Sequence, residues 1–143
     1  MAYNLLKGKR GIIFGALNDL SIAWKVAERA VEEGAEIVLT NTEISLRMGE
    51  ISKLAERCNA PIIAADATKV EDLEALVDRA MEHFGGKFDF VLHSVGMSPN
   101  VRKSIPYQSL NYTFLDRTLD ISAVSFHKWS PIRSKSPTAC RMV

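Results

Sequence analysis

Chemistry in this chain is expected where Lys9-Arg10-Gly11-Ile12-Ile13-Phe14 runs through Gly15-Ala16-Leu17-Asn18-Asp19-Leu20-Ser21 into Ile22-Ala23-Trp24, a short apolar strand turning into a helix. Such a turn leaves the first N–H groups of the helix without intrahelical partners and aimed outward, which suits an anion and above all a phosphate. Gly15 has no Cβ, so the backbone there can approach a ligand closely or take positive φ. Ser21 stands at the helix start, where a small hydroxyl either caps an orphan N–H or meets a phosphate oxygen. Ala23 lies where helix crosses strand and permits close packing. The usual dinucleotide fingerprint has three glycines in this turn, and only Gly15 matches outright. The motif alone therefore does not separate a phosphate loop from an ordinary connection, and the rest of the chain has to decide.

The elements that must position this turn follow from the apolar spacing. Ser21 to Glu33 places Ile22, Ala23, Val26, Ala27 and Ala30 on one helical face, and Gly34 marks its end. Glu36 to Thr40 reads as a buried strand closed by Asn41-Thr42-Glu43, and Ser45 to Cys58 returns to helical spacing. Pro61 to Asp66 gives a third strand. Thr68-Lys69-Val70-Glu71 has the form of a capping box that starts a helix through Phe84, stopped by Gly85-Gly86. A fourth strand, Phe88 to Leu92, runs into His93-Ser94-Val95-Gly96-Met97-Ser98-Pro99, and Thr113 to Lys128 reads as a last helix. Short strands alternating with amphipathic helices imply a parallel sheet covered on both faces, a doubly wound α/β arrangement of Rossmann type. In such sheets ligands bind outside the carboxyl ends of the strands where the strand order reverses. The loops Gly15–Ser21 and His93–Pro99 are the two expected to meet there, and their convergence points to a dinucleotide.

Composition restricts the partners. The 143 residues carry a formal net charge of +1 with 24% charged and 47% hydrophobic residues, which fits one folded domain and offers no basic face for nucleic acid. The two cysteines, Cys58 and Cys140, have neither the number nor the spacing of a disulfide framework or zinc site. No apolar run approaches the roughly 20 residues that span a bilayer, and Met1 to Lys9 lacks the apolar core of a secretion signal, so the cytoplasm is the expected location. No metal site is expected.

Gly15-x5-Ser21-Ile22-Ala23, then Asp66, His93-Ser94-Val95-Gly96 and Asp120-Ile121-Ser122, resemble in unbroken order the enoyl-acyl-carrier-protein reductases of bacterial fatty-acid synthesis, a divergent branch of the short-chain dehydrogenase/reductases. Other members of the wider family usually keep more glycines in the first turn and Asn-Ala-Gly after the fourth strand. The resemblance implies hydride transfer from NADH to a trans-2-enoyl chain on acyl-carrier protein. It implies that Gly15, Ser21 and Ile22 line the pyrophosphate and its ribose, and that Thr42 stands on the adenosine side. Asp66 and Ala67 would hold the adenine, the carboxylate accepting from its amino group. Val95 would pack by the nicotinamide ribose and Ser98 would border the acyl substrate. The second strand ends without the acidic residue that ordinarily accepts from the ribose 2′-OH, and Arg47 follows, so the choice of NADH over NADPH comes from the resemblance. Full-length members are expected to be homotetramers.

The family's catalytic tyrosine and lysine, spaced Tyr-x6-Lys, fall in the half of the domain expected after Lys128. None of Tyr3, Tyr107 or Tyr112 has a lysine seven residues later, so no catalytic residue is assigned here. The expectation is a Rossmann-type domain over residues 1–128, truncated after about four strands and the following helix, with an open edge where a fifth strand would pair. Residues 129–143 hold two prolines and no periodic pattern, and are expected to be an irregular tail, foreign to the fold or out of frame. Two alternatives stay open: a non-catalytic dinucleotide-binding fragment, and another short-chain reductase. Blander roles also stay open for single residues: Asp66 as a turn cap, His93 as a packed histidine, and Lys128 as a solvated helix end.

Overall fold

The strands run Arg10–Phe14 (β1), Glu36–Asn41 (β2), Ile62–Ala64 (β3) and Phe90–His93 (β4), with helices Ile22–Glu32 (α1), Glu43–Met48 (α2), Ile51–Cys58 (α3) and Val70–Phe84 (α4) between them. The structure, a computed structural model, describes residues 2–132 and the backbone of residues 141–142. All pairings are parallel and the sheet order is β3-β2-β1-β4, extended at the β4 edge by a two-residue strand, Arg141–Met142 (β5). The doubly wound arrangement read from the alternation is the one observed.

Because side chains alternate along a strand, β1 feeds two cores. Ile12 and Phe14 face one side with Val38, Ile63 and Val91, and there α4 lays down Leu73, Leu76, Val77, Ala80 and Phe84. Ile13 faces the other with Ile37 and Leu39, covered by Ala23, Trp24, Ala27 and Ala30 of α1 and by Ile51 and Leu54 of α3. Each fully buried Val, Leu, Ile or Phe side chain contributes about 1.5–3 kcal/mol of apolar burial, so these two layers hold the sheet between helices.

Several expectations need correction. The helical pattern from Ser45 to Cys58 is two helices, because Gly49 lies against Leu17: a Cβ at Gly49 would sit 2.7 Å from the Leu17 carbonyl oxygen, and the Glu50 N–H donates to that oxygen at 2.8 Å. The capping box at Thr68 does not form. Lys69 is the N-cap of α4 without a side-chain cap, and Thr68 turns back to Asp66 instead.

The last helical stretch continues past Lys128. After Pro99–Arg102 (α5) and a 3₁₀ turn at Tyr107–Ser109, it comprises Tyr112–Leu119 (α6), a π-helical turn at Asp120–Val124, and Ser125–Ile132 (α7). Trp129 is 1% exposed and Ile132 3%, both packed into the β1–α4 core, with the Trp129 ring edge-on to Phe14 at 6.4 Å. The boundary at residue 129 therefore moves: residues 129–132 belong to the helix, and burial of two apolar side chains outweighs Pro131 in its last turn. Of the expected tail, residues 133–140 and 143 lie outside the described residues. The edge of β4 is not open along its whole length, since β5 pairs Arg141 with Phe90 and Met142 with Val91.

Candidate functional site

Register brings the candidate residues to one edge. Phe14 pairs with Thr40 on one side and with His93 on the other, and Asn41 pairs with Ala64, so the chain leaves β1, β2, β3 and β4 along the same carboxyl end of the sheet. The loops after β1 and β4 touch. Gly15 has φ +109°, and a Cβ there would overlap the carbonyl oxygen of Ser94, while the Ser94 N–H donates to Phe14 O at 3.0 Å. The glycine is thus required first by the neighbouring loop. Val95, one residue on, is partly buried against the β1–α4 core.

Ser21 occupies the N-cap of α1 but makes no side-chain cap bond to its own helix. Its Oγ accepts instead from the N–H groups of Leu17 and Asn18, both at 3.1 Å, and donates to Asn18 Oδ1 at 3.3 Å. The hydroxyl shapes the turn rather than the helix start. The first backbone bond of α1 is Trp24 N–H to Ser21 O at 3.1 Å, so the amides of Ile22 and Ala23 lie ahead of it at the positive end of the helix dipole. The Ile22 side chain is 74% exposed.

Asn41, which the sequence reading passed over, ties this turn to β2. It is buried, donates from Nδ2 to Ala16 O at 2.9 Å and accepts the Thr42 N–H on Oδ1 at 2.9 Å. The signal available in the sequence was an amide at the end of an otherwise apolar strand. Thr42 caps α2, its Oγ1 accepting the Ser45 N–H and donating to Ser45 Oγ at 3.0 Å. That hydroxyl is committed to the cap.

A cleft of about 440 Å³ lies between the ends of β2 and β3, walled by Thr42, Ile44, Ala65, Asp66, Lys69 and Asp72. Asp66 forms a tight turn. Its Oδ1 accepts from Thr68 N–H at 2.9 Å and Thr68 Oγ1 at 2.7 Å, and its own N–H donates to Asp72 Oδ2 at 3.0 Å. The turn-cap role and a place in the cleft wall coexist in one residue. Ala67 is buried at 2% exposure, so its side chain packs into the core beside the cleft rather than lining it.

The π-helical turn of Asp120–Val124 reaches the loop after β4. Ser122 Oγ accepts the Met97 N–H at 3.2 Å. Buried Ser125 donates to Ile121 O at 2.6 Å, which leaves its oxygen to accept from His93 Nε2 at 2.9 Å. His93 is therefore the Nε2–H tautomer, and burial lowers its pKa below the ordinary value, so the ring is neutral and packed. Ser98 caps α5 through Val101 N–H at 3.4 Å. Lys128 is not solvated: with its side chain 23% exposed it donates to Thr68 O and Asp120 Oδ1, each at 2.8 Å. Among the described residues no group of three His, Cys, Asp or Glu side chains could hold a metal ion. Among those residues no helix is long and apolar enough to cross a membrane.

The geometry has clear relatives. The chain is 36% identical over 126 residues to enoyl-[acyl-carrier-protein] reductase [NADH] 1 of Rhizobium meliloti, covering 87% of this chain and 46% of that protein. It is 35% identical over 127 residues to the corresponding NADH enzyme of Mycolicibacterium smegmatis, covering 85% and 46%. A crystal structure of a FabI–NADH complex from Alistipes finegoldii is similar at 69% identity with a TM-score of 0.91, over 94% of this chain and 48% of that one. The chain thus spans about half the length of the curated relatives it matches. Residues 15–133 match the family model described as enoyl-(acyl carrier protein) reductase, and the chain belongs to that family.

Proposed function

We propose that this chain forms the dinucleotide-binding part of an NADH-dependent enoyl-acyl-carrier-protein reductase. The observation that carries the reading is the apposition of Gly15 and Ser94, which closes the loops after β1 and β4 on each other at the point where the strand order reverses. The residues present fit the cofactor. The Ile22 amide, at the exposed start of α1, offers a donor to a pyrophosphate. With Oδ1 of Asp66 taken by Thr68, Oδ2 is the oxygen proposed to accept from the adenine amino group in the adjoining cleft. Thr42 shapes the adenosine wall through its cap, Val95 backs the nicotinamide ribose, and Ser98 borders the acyl chain. Bound there, NADH supplies the hydride that reduces a trans-2-enoyl thioester on acyl-carrier protein. In the full-length protein the same reading expects a cytoplasmic homotetramer.

The test is a titration of the 143-residue chain with NADH, read by the cofactor's fluorescence, beside a crotonyl-thioester reduction assay. Saturable binding weakened about tenfold by Asp66→Ala, the size expected for one charge-assisted hydrogen bond, is the supporting result. Turnover is expected to be negligible, since no Tyr-x6-Lys pair is present. Absence of saturable binding, or an Asp66→Ala variant that binds as tightly as the parent, overturns the reading.

A further inference from the structure

We infer that Lys128 is a positioning residue for adenine recognition, acting through Thr68 on the Asp66 carboxylate. The inference rests on the proposed role of Asp66 and deepens it. Lys128 lies sixty residues from Thr68 in sequence, yet its ammonium sits 2.8 Å from the Thr68 carbonyl oxygen and 2.8 Å from Asp120 Oδ1. Thr68 in turn supplies both donors that hold Asp66 Oδ1. The relay is continuous: Asp120 orients the ammonium, the ammonium fixes the Thr68 carbonyl, and the N–H and hydroxyl of the same residue set the carboxylate plane of Asp66.

The bonds are well protected. The Lys128 side chain is mostly covered, and Ser125 and Trp129, its neighbours along α7, are both buried. A charged donor held at a carbonyl in such surroundings is worth more than an exposed pair. Among the described residues no hydrogen bond joins this cluster to the expected pyrophosphate side, where the turn is shaped by Ser21 and Asn41. Loss of the ammonium therefore loosens one end of the site and leaves the other as it was.

The experiment compares NADH with its deamino analogue, which carries hypoxanthine in place of adenine and lacks the amino group that Asp66 is proposed to accept. Both are titrated into the 143-residue chain and into the Lys128→Met and Lys128→Arg variants, with thermal unfolding followed in parallel. The parent chain is expected to prefer NADH about tenfold. Lys128→Met, which keeps the stem and removes the donor, is expected to reduce that preference to less than about twofold, while Lys128→Arg restores most of it. Unchanged preference in Lys128→Met, or equal weakening of both ligands, overturns the inference and leaves the proposed function standing. A parent chain that binds neither ligand, or shows no preference between them, overturns the reading of Asp66 and the inference with it.

Discussion

Replacing Gly15 by alanine separates two effects that the structure places on one residue. At φ +109° an L side chain is strained, at a cost of about 1–2 kcal/mol. The new Cβ would also overlap the backbone carbonyl of Ser94, which cannot rotate away as a side chain could, so the two loops must part; overpacking of this kind costs about 1–3 kcal/mol. Against a total stability of about 5–15 kcal/mol, a combined loss of roughly 2–5 kcal/mol leaves a folded protein. At roughly 3 °C per kcal/mol the midpoint falls by about 6–15 °C. Gly85→Ala is the control. Gly85 also has positive φ, at +65°, but a Cβ there meets nothing within 4 Å, so only the conformational cost of about 1 kcal/mol remains. Thermal unfolding by circular dichroism and NADH titration of both variants give the answer. Gly15→Ala is expected to lose stability well beyond Gly85→Ala and to bind NADH at least tenfold more weakly. Equal melting shifts in the two variants, with NADH binding intact, would refute the argument that loop contact fixes Gly15.

Two further predictions concern the core behind the site. Trp129→Ala is expected to lose about 3–5 kcal/mol by denaturant unfolding, the cost of a large core cavity, whereas Trp129→Phe is expected to lose far less, because the buried indole Nε1 finds no acceptor among the described residues; a loss below about 1 kcal/mol for alanine would place the side chain outside the core. His93, held neutral by burial, takes up a proton more readily in the unfolded chain than in the folded one. Stability from that difference is present above the unfolded value of about 6.5 and is lost as pH falls through it toward the depressed folded value. Melting curves from pH 8 to 5 should therefore fall more steeply for the parent than for His93→Gln, and parallel curves would contradict the assignment.

The sheet was legible because β1, β2 and β4 are short apolar runs, and because Gly34 and Gly85 end α1 and α4 where the periodicity fails. Site residues were legible as positions more than as roles. Ser21 has the type and place of an N-cap, yet which amide its hydroxyl meets depends on the turn from Leu17 to Asn18 folding back, and no spacing rule contains that. Gly15 suggested room for a ligand, whereas its immediate neighbour is Ser94, about eighty residues away in sequence. Lys128 looked like a surface residue because local sequence carries no trace of the Thr68 carbonyl opposite. Ser130 and Pro131 hid the end of α7, since their types argue against helix while the burial of Trp129 and Ile132 argues for it and prevails.

The turn after β1 is anchored at two successive carbonyls: Ala16 O by the Asn41 amide, and Leu17 O by the Glu50 N–H at the break between α2 and α3. A long ligand lying from that turn to the Asp66 cleft meets a receptor whose two ends cannot drift apart. The entropy of aligning them is spent when the chain folds rather than when the ligand arrives. On the proposed reading, a dinucleotide gripped at the turn would find the wall of the Asp66 cleft already held in place.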